Sequence, residues 1–120
     1  MRYLHTMVRV TDIDQSLDFY CKKLGMKEVR RVTNEAGRFT LVFLAAPEDE
    51  TRGAAERSPL LELTYNWGEN DGYEVGTGFG HFAVGVPDVA AAAEKVRAGG
   101  GKVTREPGPV KFGTTVIAFV

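Results

Sequence analysis

An α+β fold built from two tandem βαβββ modules is what this sequence predicts, and three observations predict it. The chain repeats itself at a constant offset of 76 residues: His5 matches His81, Val8 matches Val84, Val10 matches Val86 and Asp12 matches Asp88. Ile13 then matches Val89, Tyr20 matches Val96 and Gly25 matches Gly101, so the register holds across a whole unit of structure. Within each repeat, a run alternating with period two gives way to a capped run with helical period, and then to a glycine. Finally, 120 residues with 43% hydrophobic and 26% charged content is the usage of one globular domain, or of two small modules sharing a core.

The elements follow in order. Over residues 2 to 10, Leu4, Val8 and Val10 fall on one face, with His5, Met7 and Arg9 on the other. Asp12 is placed to cap a helix, with Gln15 three positions on in capping-box spacing. Ile13, Leu17, Tyr20, Cys21 and Leu24 continue at helical intervals, and Gly25 supplies the stop. Cys21 therefore faces the core, and without a neighbouring base it reads as a structural thiol. Strands are expected over about 26–33 and 38–45, joined by a turn at Asn34-Glu35-Ala36-Gly37. The polar, proline-containing stretch from Ala46 to Pro59 reads as a long surface loop. Leu60 to Asn66 reads as the fourth strand.

The glycine-rich segment that follows marks a boundary, giving an N-terminal module over 1–68, a linker over 69–78 and a C-terminal module over 79–120. The second module repeats strand, capped helix and glycine stop over 79–86, 88–98 and 99–101. The helix is alanine-rich, but Val89, Ala93 and Val96 keep an apolar stripe. A loop up to Gly113 and a strand over Thr114 to Val120 complete it. The counterpart of the Leu60 strand is missing from this half, so the expectation is that the chain given is truncated and one more strand follows Val120.

Composition excludes several functions. The net charge of −1 without a basic block gives no case for nucleic acid. No apolar run reaches the roughly 18 residues of a membrane span, and the start at Met1-Arg2 lacks a signal-peptide profile. A single cysteine excludes an internal disulfide and fits a reducing compartment, so the expected location is cytoplasmic.

What the alternation does not explain is an acid among leucines, Glu62 in Leu60-Leu61-Glu62-Leu63-Thr64-Tyr65-Asn66-Trp67-Gly68. The chain holds two histidines, His5 and His81, and they occupy equivalent repeat positions. Two imidazoles and a carboxylate suit zinc, nickel, cobalt or iron(II), so His5, Glu62 and His81 are candidate ligands of one metal ion. Each residue alone also has a plainer reading, as a satisfied strand histidine or a solvent-facing glutamate. Residues two and four apart on a strand share a face, which puts Arg9 with His5 and both Thr64 and Asn66 with Glu62. His5 and Glu62 thus each have a polar anchor on their own strand, about 13 Å away at ~3.3 Å per residue. Gly85 stands four residues after His81, so the second half has no such anchor.

These residues resemble the glyoxalase I (lactoylglutathione lyase) family of the vicinal oxygen chelate superfamily. Tyr3-Leu4-His5-Thr6-Met7-Val8-Arg9-Val10 looks like its opening strand, Leu60 to Gly68 its central glutamate strand, and Gly78-Phe79-Gly80-His81 its second histidine strand. Thr104-Arg105-Glu106-Pro107-Gly108-Pro109-Val110-Lys111 and Thr114 to Val120 look like its later loop and strand, so the resemblance covers the whole chain. It implies isomerisation of the methylglyoxal–glutathione hemithioacetal to S-lactoylglutathione through an ene-diolate, with a divalent metal polarising the two vicinal oxygens. It also implies that His5, Glu62 and His81 are ligands, that Glu62 moves a proton, and that Arg9 and Asn66 hold the γ-glutamyl end of glutathione with Lys111 near the glycyl carboxylate. A fourth ligand and main base, a glutamate, is expected beyond Val120. A homodimer follows, with sites at the interface that combine His5 and Glu62 of one subunit with His81 of the other. The compact chain looks like the nickel- or cobalt-activated bacterial subgroup, which puts nickel first and zinc behind it.

This chain departs from the family in having Gly76-Thr77 where some members carry a basic residue ahead of Gly-Phe-Gly-His. The rivals on the same scaffold are a metal-dependent thiol transferase, an acyl-CoA epimerase, an extradiol dioxygenase and a metal-free drug-binding resistance protein.

Overall fold

The computed structural model describes residues 1–68 and 71–120; Glu69 and Asn70, the first two positions of the expected linker, lie outside the described residues. Its centre is a four-stranded sheet of β1 (His5–Val10), β2 (Lys27–Asn34), β3 (Phe39–Ala45) and β4 (Leu60–Asn66). The strand order is β1-β4-β3-β2, with β1 parallel to β4 and the other neighbours antiparallel. The parallel pair needs a crossover on one face of the sheet. Part of that crossover is α1 (Ile13–Leu17), which runs on into a π-helical turn, Asp18–Lys23. The Gln15 amide donates to Asp12 Oδ1 at 2.9 Å, so the expected cap forms. Gly25 takes φ +88°, the left-handed turn that ends the helix.

Alternation sorts the sheet's residues onto two faces. Val42, Leu44, Leu61 and Leu63 are buried toward the helix, against Val8, Val10, Ile13, Leu17, Tyr20, Cys21 and Met26. On the opposite face Phe43, Ala45 and Leu60 form a smaller cluster with Val29 and Leu41. The β2–β3 turn closes when Asn34 Oδ1 accepts from the Gly37 amide at 2.6 Å.

Burial pushes the Cys21 thiol above its ordinary range, and the Glu28 carboxylate adds to the shift. Native protein at pH 8 should therefore react with iodoacetamide at least about tenfold more slowly than denatured protein, since the thiolate is the nucleophile. The rate should still be climbing at about pH 9. An early plateau, measured by mass spectrometry of the labelled protein, would contradict a core position.

The structure corrects two expectations. The stretch from Ala46 to Pro59 is not a plain loop: Pro47–Asp49 forms a 3₁₀ turn leading into α2 (Glu50–Glu56). This helix has no apolar stripe for periodicity to detect; its packing residue is Gly53, where an added Cβ would come within 2.9 Å of Leu60 and 3.1 Å of Ala45. The strand expected over 79–86 does not form a ladder either. Its first-half counterpart β1 is held as a strand by pairing with β4, whereas 79–86 have no ladder partner among the described residues. The rest of the second half holds α3 (Val89–Ala98), capped by Asp88 through the Ala91 amide at 2.9 Å, and a hairpin of β5 (Arg105–Pro109) and β6 (Val116–Phe119).

Candidate metal-binding face

The face opposite the helix carries the chemistry. Parallel pairing sets Met7 beside Glu62 and Arg9 beside Thr64. Residues two apart share a side, so His5, Met7 and Arg9 line up with Leu60, Glu62, Thr64 and Asn66 on one surface. Across it His5 Nε2 stands 3.0 Å from Glu62 Oε2. The other carboxylate oxygen, Oε1, accepts from the Thr64 hydroxyl at 3.3 Å. The His5 side chain is 38% exposed and that of Glu62 12%, so the carboxylate is sunk in the sheet and the imidazole covers it.

This pair fits a divalent cation. An imidazole nitrogen and a carboxylate oxygen are donors that zinc and its neighbours accept. Bonds of about 2.1 Å at right angles put adjacent donors roughly 3.0 Å apart, so the observed spacing is that of neighbouring octahedral ligands. Thr64, holding one oxygen, leaves the other to turn toward such an ion.

The single chain does not gather all the expected ligands. Among the described residues no group of three His, Cys, Asp or Glu side chains is close enough to hold an ion. His81 lies instead against Phe119, with ring centroids 5.9 Å apart. Arg9 and Asn66 are exposed on the same face as His5 and Glu62, and the Asn66 amide donates to the Tyr73 hydroxyl at 3.0 Å. Lys111 is in the loop between β5 and β6, its Nζ 5.2 Å from the ring centre of the exposed Phe112.

Two contributors escaped the reading of the sequence. Thr64 stands on the face that strand parity predicts, but spacing does not announce its hydrogen bond to Glu62. Phe43, beside Glu62 in the β3–β4 ladder, meets the His5 ring edge to face. The available signal was the repeat itself, because Phe43 and Phe119 are also 76 residues apart.

The fold and this face define a βαβββ-type protein with a histidine and a carboxylate paired on the open side of its sheet. Comparison with known proteins carries the assignment further. The profile of the Glyoxalase/Bleomycin resistance protein/Dioxygenase superfamily matches residues 2–120, and the chain belongs to that superfamily. It is 54% identical over 120 residues to a lactoylglutathione lyase of Haemophilus influenzae, covering 100% of this chain and 84% of the relative. It is 51% identical over 120 residues to a probable lactoylglutathione lyase of Synechocystis sp., covering 100% of this chain and 86% of the relative. Glyoxalase I from Zea mays superimposes with a TM-score of 0.84 at 45% identity, over 98% of this chain; the chain spans 39% of that longer protein. Among the described residues no helix is long and apolar enough to cross a membrane.

Proposed function

We propose that this chain is a lactoylglutathione lyase that converts the hemithioacetal of methylglyoxal and glutathione into S-lactoylglutathione. The observation that carries the reading is the His5–Glu62 pair on the same sheet face as Arg9 and Asn66. The names borne by relatives more than half identical over the whole chain support it. His5 and Glu62 would hold the metal from one subunit and His81 from a second copy, in a homodimer with sites at the interface. That only two of the three meet within one chain favours this arrangement. Nickel is the first candidate, with cobalt or zinc behind it, and the expected location is cytoplasmic. The division into modules over 1–68 and 79–120, with 69–78 as linker, is retained; the matching His5–Phe43 and His81–Phe119 contacts support it.

When bound, a divalent ion at this site supplies Lewis acidity to two neighbouring substrate oxygens. The chain's own residues do the rest. Glu62, with one oxygen held by Thr64, would carry the proton between the reacting carbons. Arg9 presents a planar fork to the γ-glutamyl carboxylate, and Asn66 adds an amide donor once it leaves the Tyr73 hydroxyl. Lys111 answers the glycyl carboxylate.

Thioester formation, followed by absorbance with methylglyoxal and glutathione plus nickel, cobalt or zinc, tests the proposal. No turnover with any of the three ions would reject it. Arg9→Ala should raise KM about tenfold or more while leaving kcat within about threefold, because the arginine grips the tail and not the reacting carbons. An unchanged KM would remove Arg9 from the substrate site.

A further inference from the structure

The two histidines stand in the same aromatic contact. The His5 and Phe43 ring centroids are 5.9 Å apart with planes at 75°, and those of His81 and Phe119 are 5.9 Å apart at 72°. Both pairs are edge to face, the arrangement in which a ring's positive rim meets its partner's negative face. The phenylalanines are separated by 76 residues, as the histidines are, so the repeat conserves the contact as well as the residue types.

An arginine lies across the ladder from each ring: Arg30 pairs with Phe43 and Arg105 with Phe119. Their guanidinium groups are employed differently. Arg105 donates to the carbonyls of Ile117 at 2.8 Å and Pro109 at 2.9 Å. The Arg30 guanidinium carbon is 3.8 Å from the centre of the Phe43 ring, and its Nε is buried without a hydrogen-bond partner among the described residues. The nearby Glu28 carboxylate is bonded to Arg31 instead. Arg30 is therefore committed to a stack on the ring that touches His5 and neighbours Glu62.

We infer that Phe43 and Phe119 are positioning residues for the two imidazoles, and that Arg30 clamps the first of these rings. The inference rests on His5 and His81 being metal ligands. An imidazole on an open sheet face turns about two side-chain bonds, and the phenylalanine removes most of those orientations before an ion arrives. Ordering a ligand in advance lowers the entropic cost of binding. Arg30 acts one step back, by fixing the ring that fixes the imidazole.

The full-length chain carrying Phe43→Leu, Phe119→Leu or Arg30→Met tests this. With only two histidines, the imidazole signals of the metal-free protein are readily told apart by NMR. Phe43→Leu and Arg30→Met should move the His5 signals and leave those of His81, and Phe119→Leu should do the reverse. Nickel affinity, measured by calorimetry, should fall about 5- to 20-fold in each variant. Combining Arg30→Met with Phe43→Leu should weaken binding no further than Phe43→Leu alone, since the two act through one ring. At saturating nickel, KM for the hemithioacetal should stay within about twofold. A raised KM with unmoved imidazole signals and undiminished affinity would make the phenylalanines substrate contacts and overturn the inference. Additive losses would overturn the clamp, and a lower melting temperature with unmoved signals would make the rings merely structural. If the wild-type chain bound no nickel, cobalt or zinc, the metal-centre reading itself would fall, a result distinct from equal binding by wild type and variants.

Discussion

Glu62→Gln should lower kcat by at least about 100-fold, equivalent to ~2.7 kcal/mol of lost transition-state stabilisation. Glutamine keeps the shape of the side chain and an oxygen to accept from Thr64, so the sheet around it should be undisturbed. What disappears is the negative charge beside His5 Nε2, and with it an anionic ligand and a proton carrier. The metal-free variant should melt within a few degrees of the wild type while its nickel content after dialysis falls sharply. A variant that kept wild-type metal and more than a tenth of the turnover would remove Glu62 from the centre of the site.

One residue further along the same strand, the expected effect changes in kind. Leu63 is fully buried and points to the opposite side of the sheet, into the cluster with Val42, Leu44 and Leu61. Leu63→Ala should cost about 2–5 kcal/mol, the transfer energy of the lost carbons plus that of the cavity left behind. Against a typical total of roughly 5–15 kcal/mol, such a loss is large. Urea unfolding should show a lower midpoint with an unchanged slope, and KM measured well below the melting temperature should hold. A loss below about 1 kcal/mol would mean that the helix settles into the space. Two adjacent substitutions on β4 therefore separate stability from catalysis, because strand parity sends neighbouring side chains to opposite faces.

The same parity explains how much of the molecule could be read from the sequence. In β1 the residues alternate between a packed side and an open one, and β2, β3 and β4 fall within about a residue of the expected bounds, whereas β1 begins at His5, three residues after the alternation does. The shared face of His5, Arg9, Glu62 and Asn66 follows from counting by twos. Asp12 and Asp88 announce their helices because capping is local chemistry. The helix α2 escaped for the opposite reason: its contact with the sheet is made by the missing side chain of Gly53, and no scale of hydrophobicity registers an absent side chain. Residues 79–86 show a further limit. Their sequence has the strand pattern, but a strand exists only through its partner's hydrogen bonds, and pattern alone does not supply one. The Phe43 contact was hidden because it joins residues 38 positions apart that meet only after β1, β4 and β3 are laid side by side.

The placement of β4 between β1 and β3 bears on how long the site keeps its shape. Because both edges of that strand are hydrogen-bonded, its amide protons can be traded for solvent deuterium only when the sheet separates, so they should be among the last in the protein to exchange. The carboxylate of Glu62 rides on that backbone. Its alignment with His5 should thus persist for as long as the fold does, through the openings of loops and helix ends that occur many times over in between.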